Sequence, residues 1–98
     1  MDNQSFLKEL DRAYTDDKKM AVIEAYLTSY RVTSTTPVLL CQELGSAVAE
    51  FAFSEQKFTV LRILQRYVQD RENLEKMIED KFSYFEREKA RKIVGLKP

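Results

Sequence analysis

Glu72, Glu75 and Glu79 recur at i, i+3 and i+7, which places three carboxylates on one face of a helix. A di-metal centre uses such a face when Glu-x-x-His motifs project inward from neighbouring helices. The chain contains no histidine, and this face lies opposite much of the apolar stripe of Leu74, Met77 and Ile78. A solvated face is expected, with no metal. Asp16-Asp17 has neither the glycine turn nor the twelve-residue ligand spacing of a calcium loop. Two carboxylates there instead suit a helix start, where they meet the positive end of the macrodipole. Cys41 follows Val38-Leu39-Leu40 with no cation beside it, whereas a reactive thiolate needs an electropositive, partly exposed setting. It is expected to be a core cysteine. Without histidine there is no Ser–His pair, Ser46 sits in no nucleophile elbow, and the isolated Gly45 and Gly95 form no phosphate-cradling loop. The chain therefore reads as no enzyme, with no cofactor and no small-molecule substrate.

Charge gives a second set of expectations. Sixteen basic and sixteen acidic residues cancel, so no global field draws in nucleic acid or an anionic membrane. Leu40-Cys41-Gln42-Glu43-Leu44-Gly45, with Phe51 downstream, resembles the opening of a helix-turn-helix motif. Its second helix, Ala47 to Phe53, offers no Arg, Lys, Asn or Gln to a base edge. No basic residue occurs between Val32 and Gln56, so that segment is rejected as a nucleic-acid reader. By contrast, Arg87, Lys89, Arg91, Lys92 and Lys97 oppose only Glu88 over the last twelve residues. This stretch is either the cation-rich end favoured by a helix dipole or a patch for an acidic partner. The acidic centre Glu43, Glu50 and Glu55 is a candidate to pair with it in a neighbouring molecule.

The elements that position these residues must be helical. Ninety-eight residues, 44% hydrophobic and 33% charged, suit one globular domain, and two Gly and two Pro are too few for the turns of a β-sandwich. Uninterrupted apolar runs reach only four residues, as from Val38 to Cys41, and Met1 to Ser5 carries no apolar signal-peptide region. A single cysteine makes no internal disulfide, so a cytoplasmic protein without membrane insertion is expected. Periodicity predicts helices over about 4–14, 16–31, 37–53, 55–69 and 71–94, a single-domain antiparallel all-α bundle of four to five helices. Asn3 is the expected cap of the first helix and Thr36-Pro37 the start of the third. Ser54 caps the fourth, and Gly95 follows the last as its C′ residue. Phe82 and Phe85 continue the inward stripe of the final helix. Between the last two helices Gln69 to Asn73 contains neither Gly nor Pro, so a break is favoured over one continuous helix of about 60 Å.

Ala13 to Met20 and Phe51 to Phe58 occupy corresponding helix–turn–helix junctions, 38 residues apart, followed by MAVIEAYL and FTVLRILQ. With Leu44-Gly45 in a first helix, this resembles a tetratricopeptide-type array, although Lys57 stands near that family's packing alanine. Four short antiparallel helices with a proline-initiated third and a trailing segment also resemble the small bacteriocin immunity proteins. Either resemblance implies a bundle that sequesters a peptide or protein target. The residues themselves point the same way. The third helix with Phe51, Phe53 and Phe58 holds more apolar surface than short helices need to bury, and eleven aromatics suit a binding surface. The expected function is a small non-catalytic interaction or regulatory protein acting through an apolar helical face. Its partner is another protein or a second copy as a homodimer. A nucleic-acid role through the basic C-terminal segment is the weaker alternative. Expected partner-binding residues are Tyr30, Phe53 and Phe58, with Arg87, Lys89, Arg91 and Lys92 from the basic segment.

Overall fold

The computed structural model describes residues 1–96, and Lys97 of the basic stretch lies outside them. Helix α1 (Asn3–Arg12) is capped by Asp2, whose Oδ1 accepts the Ser5 N–H at 2.7 Å. Asn3, expected at that position, has a different task. Its Nδ2 donates to the Val38 carbonyl at 2.7 Å and to Glu43 Oε1 at 3.0 Å, while its Oδ1 accepts the Tyr26 hydroxyl at 2.6 Å. Helix α2 (Asp16–Val32) starts at Thr15, whose Oγ1 accepts the Lys18 N–H, with Asp16 and Asp17 in the first turn. The two helices form an antiparallel hairpin. Phe6 stacks on Tyr26 with ring centroids 4.1 Å apart, and at the other end Lys19 Nζ donates to the Leu10 carbonyl at 2.7 Å. That buried ammonium also pairs with Glu50 at 3.0 Å, tying the ends of three elements together.

Thr36-Pro37 does not begin a helix. The chain stays extended to Leu40, because Leu39 is spoken for by a distant segment. Its N–H donates to the Tyr67 carbonyl at 2.9 Å and its carbonyl accepts the Gln69 N–H at 2.8 Å, an isolated parallel bridge centred on Val68. Helix α3 (Cys41–Ala49) follows without a local cap, since the Leu40 side chain accepts nothing. Asp70 Oδ1 accepts the Cys41 N–H at 2.7 Å instead, and Glu43 accepts the Leu40 N–H at 2.9 Å.

Helix α4 (Ser54–Leu64) tightens into a 3₁₀ turn at Gln65–Tyr67, and a second such turn, Arg71–Asn73, leads into α5 (Leu74–Lys81). The connection breaks because Val68 must be extended to reach Leu39. A further break, absent from the periodicity, falls at Phe82-Ser83. Phe82 is extended (φ −115°, ψ 145°) and Ser83 caps a new helix, α6 (Tyr84–Ile93). Among the described residues there are thus six α-helices where four or five are expected. Arg91 to Glu75 at 2.7 Å and Arg87 to the Glu79 carbonyl at 3.0 Å show α6 folded back antiparallel on α5. Gly95 takes the left-handed conformation (φ 82°) and closes α6, with Leu96 N–H on the Arg91 carbonyl.

Helices α3, α4, α6 and α5 form a closed ring, each touching the next, and the α1–α2 hairpin docks on it through α1 against α3. The core is continuous, from Phe6, Leu10, Ile23 and Leu27 through Leu44 and Val48 to Leu61, Leu64, Ile78 and Ala90. Gly45 lets α3 approach α5, since a Cβ there would lie 3.1 Å from Met77 Cγ and 3.2 Å from Lys81 Cγ. Among the described residues there is no strand, and no helix is long and apolar enough to cross a membrane.

Asp70 links two parts of this fold. The Asn73 amide and the Cys41 N–H hold its carboxyl below the usual range. Its contribution is complete above the unfolded value near 3.8 and vanishes as pH falls through the lowered folded value. Asp70→Ala is expected to cost about 1 kcal/mol in urea unfolding at pH 7. The same variant should show a shallower loss of stability below about pH 4. An unchanged midpoint would show that α3 needs no cap from this residue.

Candidate interaction surface

Among the described residues no cluster of three or more acidic or cysteine side chains is placed to hold a metal ion. Cys41 is buried, and burial, reinforced by Asp70, pushes its thiol up to about 11. Its Sγ donates to the Asp70 carbonyl at 3.1 Å. A groove of about 450 Å³ between α3 and α5 is lined by side chains of both signs, among them Asp70, Lys76, Asp80 and Lys81.

Most of the residues expected at a partner surface are occupied within the chain. Phe58 is inside the core, stacked on Phe82 with centroids 5.8 Å apart, because it faces the ring interior from α4. Tyr30 is half-buried, edge-on to Tyr26, and its hydroxyl donates to the Met1 carbonyl at 3.2 Å. Arg87 closes the end of α5 by donating to the Phe82 and Glu79 carbonyls. Arg91 forks onto Glu75. Lys89 and Lys92 remain exposed, the first with its Nζ 4.8 Å above the Phe58 ring, the second 3.6 Å from Glu88. Two carboxylates of the acidic centre are similarly engaged, Glu50 with Lys19 and Glu43 in the start of α3, while Glu55 is exposed. The apolar excess of the third helix is also interior, with Leu44, Ala47, Val48 and Phe51 all buried where α3 meets α1, α4 and α5.

Phe53 is exposed, at 67% of its full surface, and it has company that periodicity concealed. Tyr84 is 78% exposed and Phe85 92%, with their rings edge to face at 5.6 Å. A helix running unbroken through residue 82 would turn Phe85 inward. The break at Ser83 restarts the helical phase and turns it out. The signal was available, since Ser83-x-x-Glu86 is a capping box.

Glu86 assembles these aromatics. One carboxylate oxygen accepts the Ser83 N–H at 2.8 Å and lies 3.7 Å from Lys57 Nζ, and the other accepts the Ser54 hydroxyl. Ser54 is the first residue of α4, not its cap, because its hydroxyl is directed at Glu86. Lys57 also donates to the Lys81 carbonyl at 3.1 Å, fastening the end of α5 to the same point. Burial alone would raise the Glu86 carboxyl, but hydrogen bonds from Ser54 and Ser83, with Lys57 nearby, outweigh it and hold the carboxyl low. Phe53 immediately precedes Ser54, and Tyr84-Phe85 immediately precedes Glu86. The three exposed rings therefore flank one pinned contact between two helix starts. The other large exposed apolar residues, Met1, Tyr14, Val32, Val38 and Leu40, belong to the other half of the chain.

The Cys41 environment carries its own test. A neutral disulfide reagent at pH 7 should label native protein at least about 100-fold more slowly than chain unfolded in denaturant. Equal rates would place the thiol at the surface.

No curated protein and no solved structure matches the chain. A family model, described as a domain of unknown function, DUF4476, matches residues 1–94. That span takes in all six helices and the whole of the Glu86 contact, and the chain belongs to the DUF4476 family.

Proposed function

We propose that this domain is a non-catalytic protein-interaction module whose working surface is formed by Phe53, Tyr84 and Phe85. The observation that carries the reading is their joint exposure around the Ser54–Glu86 contact. Three aromatics so exposed present roughly 500 Å² of largely apolar surface, given about 150–250 Å² for each. That is the size of the largest patch on a typical monomer, which is often functional. Aromatic side chains dominate the energetics of protein interfaces, and here exposed Glu55, Glu88 and Lys89, each within one helical turn of the rings, supply charges of both signs at the rim. The rings are held on ordered helix starts, so a partner would immobilise little on docking.

The reading moves the apolar face away from α3 to the starts of α4 and α6. It retains the expected class, an interaction or regulatory protein, within which a bundle sequestering a peptide or protein is one form. A reducing compartment such as the cytoplasm suits a chain with one buried thiol. The nucleic-acid alternative is weaker, because Arg87 and Arg91 are committed to α5 and bring few free cations to a phosphate backbone.

Affinity capture from a native lysate of the source organism tests the reading. Proteins held by the wild-type domain should be lost with Tyr84→Ser/Phe85→Ser and kept with Tyr14→Ser, which alters an equally exposed ring (93%) elsewhere. The same set retained by all three would remove the patch from consideration.

A further inference from the structure

We infer that the partner seated on the aromatic patch is a second copy of this chain, packed antiparallel along α6; the inference rests on the interaction reading above. Three observations lead to it.

The first is area. Homodimer interfaces are about 65% apolar, so a roughly 500 Å² aromatic contribution implies a complete footprint near 800 Å². That is about what each partner contributes to a standard-sized interface.

The second is the order of side chains on the helix. Phe85, Glu88, Lys89 and Lys92 are all exposed and fall at i, i+3, i+4 and i+7, one face of α6. A twofold axis between residues 88 and 89 of two antiparallel α6 helices places Glu88 opposite the partner's Lys89, twice. The same axis places each Phe85 opposite the partner's Lys92, where an ammonium can lie over an aromatic face. A surface with this order of charges is its own complement, as an isologous interface requires.

The third is net charge. Sixteen charges of each sign leave no long-range repulsion between copies. The seam leaves the contacts of Arg87, Arg91 and Ala90 on the α5 side in place, and exchanges only the exposed Glu88–Lys92 pair and the Lys89 ammonium over Phe58 for contacts across the axis.

Sedimentation equilibrium up to about 200 µM, a range that detects micromolar association, tests the inference with two charge-reversal variants. Wild-type protein should show about twice 11.5 kDa. Glu88→Lys places two lysines on each copy of the seam and Lys89→Glu places two glutamates, so each variant alone should dissociate at least about 10-fold more readily. Mixed in equal amounts, they should recover a heterodimer as tight as the wild type, since every pair across the axis is then opposite in charge. Unchanged far-ultraviolet circular dichroism excludes unfolding as the cause of a lower mass. A monomeric wild type overturns the inference, as does a dimer that neither reversal weakens or that mixing does not restore. If the wild type is monomeric while lysate capture still depends on Tyr84 and Phe85, the second copy is wrong and the interaction surface stands. If the wild type is monomeric and lysate capture does not depend on those rings, both fall.

Discussion

The contacts of the Glu86 carboxylate decide the shape of the C-terminal half. Helix α6 has ten residues, and a helix of that length is marginal in water on its own propensity. It forms because its first turn is capped and its buried face is covered. Glu86 supplies the cap by accepting the Ser83 N–H, and with its other oxygen and its nearness to Lys57 it anchors the start of α4. A half-buried carboxylate is costly to desolvate. Here the donors that surround it more than offset that cost, as its lowered carboxyl records. The consequence at the surface is the joint exposure of Phe53, Tyr84 and Phe85.

The remainder of the ring depends on a similar device at the opposite end. Leu40 leaves α3 uncapped, and the connection 65–73 supplies the missing acceptor through Asp70 while its neighbours pair with Leu39. Arg71 from the same connection donates to the Gln65 carbonyl and to the Val94 carbonyl at 3.0 Å, tying the end of α4 to the end of α6. At the first place α6 is capped locally and the reach across the fold is the Ser54 hydroxyl on Glu86, whereas at the second the start of α3 is satisfied by Asp70, 29 residues along the chain. The ring of α3, α4, α6 and α5 is thus closed at two points by polar contacts as well as by its apolar interior.

These devices explain what was legible in the sequence. The stripes of the first two helices read directly, because Phe6, Leu10, Ile23 and Leu27 bury through local periodicity, and Asp16, Asp17 and Gly95 act at helix ends through local geometry. Phe53 could be singled out as exposed because it lies beyond the end of the α3 stripe. Pro37 misled, because its local preference for a helix start yields to the bridge between Leu39 and the segment 67–69, thirty residues on. Asn3 and Ser54 have the local spacing of caps, which does not reveal that their polar atoms belong to Val38, Glu43 and Glu86. Phe58 looked available only while its partner Phe82 was unplaced. Phe85 was different in kind. The Ser83-x-x-Glu86 signal was local, but the apolar stripe from Leu74 to Phe85 masked it, and one missed break turned an outward ring inward.

The view that one carboxylate couples two helix starts, and thereby builds the aromatic surface, is tested most directly by amide hydrogen exchange on Glu86→Gln. The hydrogen-bonded amides of Ser83, Glu86 and Arg87 and those of Lys57 and Phe58 should lose protection together, while those of α3 at Leu44 to Val48 keep theirs. Loss confined to the start of α6, with Lys57 and Phe58 unchanged, would contradict it.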